Sequence, residues 1–285
     1  PNPTDRPPVS TPSAIWIDGE RADALPLPDR GLEFGDGLFE TLLFESDRVL
    51  FPDLHWQRLQ RGLASLGFAP ILPEILSQFD AVLASLAQDS DRAALRVTIT
   101  RGQGPRGYAP PSEAKPRIIV SATPLPTASG QLPAATMATA KTRWGRQPQL
   151  ARIKHCNRLE QVLAASEKNH YGVDEVLMLG QDDQLVSVSA GNLFLRLGDE
   201  LHTPVLDECG IEGTRRRLIL EQWAPAIGCP THESRLYRSD LVNAKEVFYS
   251  NTLLGLRPVA AIDDLRWDNQ DICAALYQQY RGDCT

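Results

Sequence analysis

The sequence predicts an α+β protein built from two domains. The chain has 285 residues, and at roughly 150 residues per domain this length gives about two units, each able to bury an apolar core. Strand-like and helix-like segments occur in both halves, and a stretch rich in proline, serine, threonine and glycine separates the halves. We therefore expect a flexible lead at 1–13, domains at 14–122 and 131–285, and a linker at 123–130.

The N-terminal half is predicted to combine short strands with two helices. Apolar residues recur at helical spacing from Asp53 to Gly67 and again over 74–87, which predicts two amphipathic helices. Elsewhere apolar and polar residues alternate, most strictly from Leu95 to Thr100, and this alternation is typical of strands with one buried face. The predicted strands lie at 14–17, 42–44, 48–50, 95–100 and 117–121.

The C-terminal half is predicted to contain more strands. One helix is expected at 157–169, where Leu159, Val162 and Leu163 share a face, and another at 214–223, directly after a glycine-containing loop. Short apolar segments bounded by turn residues predict strands at 136–141, 175–179, 184–188, 192–197, 246–250 and 256–262. Because strands and helices are mixed in both halves, we expect two α+β domains with mainly antiparallel or mixed sheets.

Composition and charge argue against several classes of protein. The net charge is −7 without a basic stripe, so nucleic acid and anionic membranes would be repelled. The apolar runs are far shorter than the roughly 20 residues that cross a bilayer, and the proline-rich start lacks the apolar stretch of a signal peptide. The five cysteines lack CxxC spacing and the five histidines lack HxH or HExxH spacing. We expect a cytoplasmic protein with reduced thiols and no metal.

A candidate nucleophile is Lys154, which follows Ile153 just before a predicted helix. A lysine that is desolvated between apolar neighbours has a lowered pKa, and its neutral amine is then a nucleophile. An ordinary surface lysine would show the same local sequence. The lysine is therefore a candidate that needs support from other positions.

Three further segments could hold a phosphate group. The loop at 210–215 opens a predicted helix with glycines and Thr214, and exposed backbone N–H groups at such a position bind anions. A strand ends at Ser250, Asn251 and Thr252, whose side chains can all donate hydrogen bonds, and Arg58 lies on the first long helix. Each has an ordinary alternative: a plain helix cap, a polar turn and a solvated arginine.

A glycine-rich loop with the sequence RGQGPRGY lies at 101–108, after the strictly alternating strand. Glycines permit close approach of a ligand, and arginines pair with carboxylates through two hydrogen bonds. The loop could therefore bind a carboxylate group of a ligand. It could equally be a hairpin with exposed arginines.

These segments together resemble one family of enzymes. The motifs are DRGLEFGDGLFET at 29–41, HWQRL at 55–59, KHCNRLEQVL at 154–163 and GNLF at 191–194. They occur in the order found in the pyridoxal-phosphate enzymes of fold type IV, which include the branched-chain and D-amino acid aminotransferases. The similarity extends from Ile15 to Ile262. It implies the two-domain α+β fold of that class, with the cofactor site between the domains.

The resemblance also implies roles for individual residues. Lys154 would hold pyridoxal 5'-phosphate covalently and move a proton in the reaction. Arg106 would hold a substrate carboxylate, and Glu40 and Tyr108 would line the substrate pocket. The full set of implied cofactor-binding residues is Arg58, Lys154, Ser187, Asn192, Gly213, Thr214, Asn251 and Thr252. Members of the family form homodimers, which implies a homodimer here.

One position departs from the family pattern. Five residues before Asn192, where the family usually has a glutamate that keeps the pyridine nitrogen protonated, this sequence has Ser187. A hydroxyl can hydrogen-bond the nitrogen but cannot hold a full pyridinium charge, so the electron sink should be weaker. The alternative is that the count is shifted by a local insertion and that Ser189 or another residue faces the nitrogen.

Within the class, two segments resemble the aminodeoxychorismate lyases more than the aminotransferases. They are 101–108 together with 143–161, which contains RWGRQP and KHCNRLEQ. This implies conversion of 4-amino-4-deoxychorismate to 4-aminobenzoate and pyruvate. Two alternatives remain open: an aminotransferase for D-amino or branched-chain amino acids, and an inactive homologue that binds the cofactor and serves as an interaction partner. Ser187 is the feature that favours the inactive homologue.

Overall fold

A computed structural model describes residues 14–86, 91–127 and 130–284 of the chain. The predicted lead at 1–13 and residues 128–129 of the predicted linker lie outside the described residues. The described strands form two sheets, one of six strands before the linker and one of nine strands after it. Both halves contain strands and helices, as the sequence predicts.

The first sheet is antiparallel throughout. Its strands are β1 (Ala14–Ile17), β2 (Glu20–Arg21), β3 (Gly37–Glu45), β4 (Arg48–Val49), β5 (Arg92–Thr100) and β6 (Arg117–Pro124). They lie in the order β2-β1-β6-β5-β3-β4. Along β5, Leu95, Val97 and Ile99 are fully buried, as its alternating sequence predicts.

Three helices accompany this sheet: α1 (Arg30–Phe34), α2 (Pro52–Ser65) and α3 (Leu72–Leu86). Leu59 and Leu63 of α2 and Phe79 of α3 pack with the sheet residues in one apolar core. The helix α2 begins one residue before the predicted Asp53, because proline is favoured at the first helical position. The short helix α1 was not predicted.

The second sheet is mixed. Its strands are β7 (Ala135–Thr139), β8 (Glu175–Leu179), β9 (Leu185–Val188), β10 (Asn192–Leu197), β11 (Glu200–Pro204), β12 (Thr231–Ser234), β13 (Ala244–Asn251), β14 (Gly255–Ile262) and β15 (Leu265–Arg266). The order is β12-β11-β10-β13-β14-β7-β8-β9, and β15 pairs with β14. The pairs β11·β12, β14·β7 and β7·β8 are parallel.

The helices of the second half are α4 (Leu159–Tyr171), α5 (Thr214–Leu218), α6 (Ala224–Ala226) and α7 (Asp271–Cys284). The predicted helix at 214–223 is interrupted: its second half, Ile219–Trp223, is a π-helical turn that leads into α6. The helix α7 was not predicted. Short 3₁₀ turns lie at Pro148–Leu150 and Arg238–Asn243.

An apolar core joins the two halves of the chain. Leu43 and Leu50 of the first half pack with Trp223, Phe248 and Leu276 of the second half in one buried cluster. Burial of this shared apolar surface stabilises the contact between the halves. It thereby fixes the position of β3 and α2 relative to the second sheet, and a cavity lies between them.

The structure also bears on membrane-spanning helices and on the state of the cysteines. Among the described helices, none is both long and apolar enough to cross a membrane. All five cysteines are free thiols, four of them buried and Cys156 partly exposed.

Candidate active site

A cavity of about 320 Å³ lies between the two halves of the chain, and we call it the central cavity. Side chains reach it from β3, α2 and the start of α4, and from the loops that precede α5 and follow β13. All eight residues predicted to bind the cofactor line it: Arg58, Lys154, Ser187, Asn192, Gly213, Thr214, Asn251 and Thr252. Residues that are distant in the sequence thus form one site.

Lys154 occupies the wall of the cavity beside β3. Its backbone carbonyl accepts a hydrogen bond of 2.9 Å from the N–H of Phe39, and its Nζ lies 4.1 Å from the centre of the Phe39 ring. Burial, together with the positive charge of Arg58, lowers the pKa of Lys154 to about 7, although Glu40 acts in the opposite direction. A large fraction of this amine is therefore neutral and nucleophilic near pH 7.

Arg58 is anchored from behind the cavity wall by Glu40. Its Nε and Nη2 donate to the two carboxylate oxygens of Glu40 at 2.7 and 2.5 Å, and its Nη1 donates to the carbonyl of Glu212 at 2.8 Å. Glu40 was predicted to line the substrate pocket, but the structure places it one layer deeper, fully buried. A buried carboxylate requires charged or hydrogen-bonding partners, and Arg58 and His55 supply them to Glu40.

His55 completes this buried network. Burial lowers the pKa of His55 to about 4, so its imidazole is neutral near pH 7. Burial raises the pKa of Glu40, but the charge of Arg58 and the hydrogen bonds from Arg58 and His55 lower it to about 2. Because the ionised carboxylate can only accept, His55 Nδ1–H donates to it at 2.8 Å, and His55 Nε2 lies 3.4 Å from the hydroxyl of Thr214.

The loop before α5 approaches the cavity with its backbone. Asn192 fixes it through two hydrogen bonds: its Nδ2 donates to the Ile211 carbonyl at 2.8 Å, and its Oδ1 accepts from the Gly213 N–H at 2.9 Å. A Cβ at Gly213 would lie 2.0 Å from Asn192 Oδ1, so any larger residue would displace the Asn192 side chain or the loop that it holds. Asn192 therefore positions the loop, and Gly213 and Thr214 face the cavity.

The turn after β13 supplies another wall. The Asn251 side chain shapes this turn, because its Oδ1 accepts from the N–H groups of Leu253 and Leu254 and its Nδ2 donates to the Ala190 carbonyl. The hydroxyl of Ser250 is buried on the cavity wall and has no hydrogen-bond partner within the described chain. A buried hydroxyl in this state is suited to a polar ligand.

Arg215 is a cavity residue that the sequence did not single out. It is buried, its Nη2 donates to the Thr252 carbonyl at 3.3 Å, and its guanidinium lies 4.5 Å from the centre of the Phe51 ring. Its Nε and Nη1 are without hydrogen-bond partners among the described residues. With Arg58 and Ser250 it makes one end of the cavity suitable for a phosphate group. The sequence feature that could have identified Arg215 as a cavity residue is its position directly after Gly213 and Thr214.

Ser187 is buried in β9 and its Oγ accepts a hydrogen bond of 2.9 Å from Trp144 Nε1. Ser189, the alternative to Ser187, also lines the cavity, but its hydroxyl is bound to the carboxylate of Glu175 at 2.5 Å. Because Trp144 uses an acceptor site of Ser187, the Ser187 hydroxyl proton remains able to donate elsewhere. Both serines therefore line the central cavity, but their hydrogen bonds differ. Ser187 accepts from Trp144, whereas Ser189 donates to Glu175.

The glycine-rich loop at 101–108 lies away from the cavity within this chain. Arg101 is buried in an ion pair with Asp36, which is a structural role. Arg30 donates to the carbonyls of Gly107 and Tyr108, and Tyr108 remains 86% exposed. Arg106 is also exposed. In the described chain neither Arg106 nor Tyr108 is among the residues that line the central cavity.

The Amino-transferase class IV family matches residues 37–262, and the chain belongs to this family. An aminodeoxychorismate lyase from Vibrio harveyi is 30% identical over 87% of this chain and 91% of its own length. A D-alanine aminotransferase from Listeria monocytogenes is 26% identical over 87% of this chain and 86% of its own length. The family assignment confirms the prediction of a fold type IV enzyme.

Solved structures agree with this assignment. The 4-amino-4-deoxychorismate lyase of Pseudomonas aeruginosa is similar to this chain with a TM-score of 0.87 and 37% identity, covering 94% of this chain and 98% of that one. The Escherichia coli branched-chain amino acid aminotransferase has a TM-score of 0.85 at 21% identity, covering 95% of this chain and 94% of that one, and shows the shared fold. The family supports the predicted cofactor, pyridoxal 5'-phosphate.

The residues of the central cavity fit this cofactor on three observations. Lys154 offers a partly neutral amine, Ser250 offers a buried hydroxyl without a partner in the described chain, and Gly213 leaves room that a Cβ would fill. In the described residues no cluster of three or more His, Cys, Asp or Glu side chains could hold a metal ion. The arrangement can therefore hold a phosphorylated aldehyde and move protons through an amine.

Proposed function

We propose that this enzyme is a pyridoxal-phosphate-dependent lyase that converts 4-amino-4-deoxychorismate to 4-aminobenzoate and pyruvate. The observation that carries the proposal is the half-buried Lys154 amine, whose pKa is lowered to about 7 within a cavity that also contains Arg58 and Arg215. The choice of lyase is supported by the similarity to the Pseudomonas aeruginosa lyase, which is higher than to the aminotransferase structures.

The phosphate group would be held at the end of the cavity formed by Arg58, Thr214, Ser250, Thr252 and Arg215. Lys154 would hold the aldehyde carbon covalently through Nζ. Ser187 would donate its hydroxyl proton to the ring nitrogen, since Trp144 already occupies one of its acceptor sites. The chemistry that the bound cofactor supplies is delocalisation of negative charge from the carbon that bears the substrate amine.

Lys154 then serves as the proton-transfer group of the reaction. Its neutral Nζ would remove the proton from the ring carbon that bears the substrate amine, and Lys154 would take the place of the product amine when 4-aminobenzoate leaves. The neighbouring carbon–oxygen bond breaks, the enolpyruvyl group takes up a proton and leaves as pyruvate, and the ring becomes aromatic. A pKa of about 7 suits this role, because the amine is an effective base without being fully protonated.

The test supplies aminodeoxychorismate to the holoenzyme without any keto acid and measures pyruvate. We expect pyruvate from the wild type, and we expect Lys154→Ala to lose this activity. Lys141→Ala is the matched control, because Lys141 is exposed outside the cavity. Borohydride treatment of the holoenzyme should fix the cofactor on the peptide that contains Lys154. Wild-type holoenzyme that releases no pyruvate would overturn the lyase assignment.

An aminotransferase for D-amino or branched-chain amino acids remains the second candidate. This activity is favoured by the similarity to a D-alanine aminotransferase, which is 26% identical in sequence over 87% of this chain. Consumption of a D-amino or branched-chain amino acid only when a keto acid is present would identify this activity. A protein that binds the cofactor but shows neither reaction would be the inactive homologue.

We further propose that the enzyme is a cytoplasmic homodimer. Leu159, Val162 and Leu163 of α4 are 77%, 57% and 58% exposed, and we call them the α4 face. Adjacent exposed apolar side chains of this size mark interaction surfaces. Pairing with a second copy would bury this face, and the five free thiols suit a reducing compartment.

A further inference from the structure

One wall of the central cavity has unused hydrogen-bonding capacity. It is formed by Trp144, Arg158 and Gln161, and we call it the Arg158 wall. Arg158 directly precedes α4 and Gln161 lies in the first turn of that helix. The residues of this wall differ from those proposed to hold the phosphate group, which are Arg58, Arg215 and the turn after β13.

Arg158 carries a positive charge that no carboxylate pairs with directly among the described residues, although the charge of Glu160 is near enough to raise its pKa. Its Nη2 contacts Nε2 of His155, whereas its Nε and Nη1 are buried and have no hydrogen-bond partner among the described residues. The nearest acidic neighbour in sequence, Glu160, instead accepts a hydrogen bond of 2.9 Å from the Gly145 N–H. Arg58, which also lines the cavity, differs because Glu40 pairs with it.

His155 does not neutralise this charge. Burial and the charge of Arg158 lower the pKa of His155 to about 4, so the imidazole is neutral near pH 7 and its Nε2 accepts from the guanidinium. Burial also lowers the pKa of Arg158, to about 10, which leaves the guanidinium charged. A buried cation with free N–H groups is stabilised most by an anionic ligand.

Gln161 adds a second donor to the same wall. Its Nε2 and Oε1 are both buried and without partners in the part of the chain that the structure describes. The guanidinium of Arg158 also lies 5.6 Å from the centre of the Trp144 ring, and the Trp144 indole is fixed by its hydrogen bond to Ser187. The aromatic face therefore restricts the guanidinium.

We propose that Arg158 and Gln161 bind a carboxylate of the substrate. The inference rests on the proposed lyase function, whose substrate has one carboxylate on the ring and one on the enolpyruvyl group. Within the described chain, Arg106, the residue first expected to hold a carboxylate, is not on the cavity wall. Arg158 is thus an arginine of this chain that a substrate carboxylate can reach from within the central cavity, and Gln161 is its neutral partner.

The experiment measures binding of two carboxylate probes to the holoenzyme by calorimetry. The probes are 4-aminobenzoate, which retains the ring carboxylate, and pyruvate, which retains the enolpyruvyl carboxylate; 4-aminobenzamide is the uncharged reference. We expect Arg158→Met to weaken binding of one carboxylate at least tenfold and to leave 4-aminobenzamide unchanged. The weakened probe identifies which carboxylate is bound. Arg158→Lys should restore part of the affinity, and Gln161→Ala should weaken the same probe to a smaller extent.

Arg146→Met is the matched control, and Arg106→Met tests the residue that the sequence predicted to hold a carboxylate. Arg106 and Arg146 are both exposed, and Arg146 is paired with Glu208 outside the cavity. The cofactor absorbance of each variant shows whether the site is intact. The inference is overturned if Arg158→Met binds both carboxylates as the wild type does, or if Arg106→Met alone weakens them. Failure of the lyase function is seen separately, as absence of pyruvate from wild-type enzyme supplied with aminodeoxychorismate.

Discussion

Glu40 and Arg58 form a buried ion pair behind the central cavity, in which two guanidinium nitrogens donate to the two carboxylate oxygens at 2.7 and 2.5 Å. Glu40 is 0% and Arg58 is 4% exposed. The pair holds Arg58 at the cavity wall, and its negative member partly offsets the positive charges that lower the pKa of Lys154.

Replacement of Glu40 by glutamine should destabilise the protein and alter Lys154. Loss of one member of a buried ion pair costs about 3–5 kcal/mol, and the missing negative charge should lower the pKa of Lys154 further. Urea unfolding measures the first effect and the pH dependence of Lys154 labelling the second. The exposed Glu113→Gln is the control. Unchanged unfolding would show that the pair does not stabilise the fold.

The same ion pair predicts a loss of stability in acid. The pKa of Glu40 is lowered from 4.5 to about 2 in the folded protein, so its contribution is complete above pH 4.5 and is lost as the pH falls toward 2. The free energy of unfolding measured between pH 5 and pH 3 should therefore fall more steeply for the wild type than for Glu40→Gln. Parallel curves would contradict the assignment of a low pKa to Glu40.

Lys154 should react with amine reagents at a lower pH than a typical lysine. Because its pKa is about 7 rather than 10.5, half of the Lys154 amine should be neutral near pH 7, and acylation of the cofactor-free protein should approach its maximal rate by pH 8. Mass spectrometry of the labelled peptides gives the rate, with the Lys141 peptide as an internal reference. A Lys154 rate that still rises tenfold per pH unit above pH 8 would contradict the lowered pKa.

Gly213→Ala should weaken binding of the cofactor while the protein still folds. The new Cβ would meet Asn192 Oδ1 at 2.0 Å and force the loop before α5 to shift. We expect at least a tenfold increase in the dissociation constant for pyridoxal phosphate, or about 1.4 kcal/mol, measured by absorbance titration. Gly282→Ala in α7 is the control, because a Cβ there meets no atom within 4 Å. Equal affinity in both variants would exclude a role for this loop.

Ser187→Glu tests the hypothesis that a weaker electron sink suits a lyase. Formation of an aromatic ring supplies driving force that an aminotransferase lacks, so on this hypothesis elimination tolerates a serine better than transamination does. We expect the ratio of aminotransferase to lyase rates to rise about tenfold in Ser187→Glu, a change of about 1.4 kcal/mol in relative barrier height. Ser189→Glu at the neighbouring position is the comparison. If neither rate changes in Ser187→Glu, the hypothesis fails.

Leu163→Glu should separate the proposed dimer. A charge on the α4 face would remain desolvated in any interface that buries it, and loss of one buried leucine alone costs about 1.5–3 kcal/mol. Light scattering coupled to size exclusion measures the mass, and we expect the variant to run as a monomer where the wild type is a dimer. Asn169→Glu, an exposed change on the same helix, should leave the mass unchanged. A dimeric Leu163→Glu would place the interface elsewhere.

The sequence predicts local structure and the shared motifs better than it predicts pairing between distant residues. The alternation of apolar and polar residues identifies β5, and the helical spacing of apolar residues identifies α2. Each pattern arises because one face of the element is buried against its neighbours. The hydrogen bond between Trp144 and Ser187 joins residues on separate segments and has no signal in the chain. The helix α7 was missed although Cys273, Leu276 and Tyr280 are buried at helical spacing, because its polar residues weaken the pattern.

The same distinction between local motifs and distant pairing applies to the candidate site. Lys154 and the segments proposed to bind phosphate could be singled out from the sequence because short motifs contain them, and the structure places all of them on the central cavity. The different roles of Arg101, Arg106 and Arg158 depend on which of them finds a carboxylate after folding. Arg101 pairs with Asp36, and Arg158 has no such partner among the described residues. Residue type alone does not distinguish these outcomes.

The helix α7 lies outside residues 37–262, where the family match ends, yet Leu276 and Tyr280 pack against the cluster that contains Leu43 and Leu50. A fragment limited to residues 37–262 would therefore expose part of the buried apolar cluster that joins the two halves. Arg215 would also lose the Tyr280 ring that lies 5.7 Å from it. During synthesis, the contact between Arg215 and the Tyr280 ring can form only after this late segment has emerged from the ribosome.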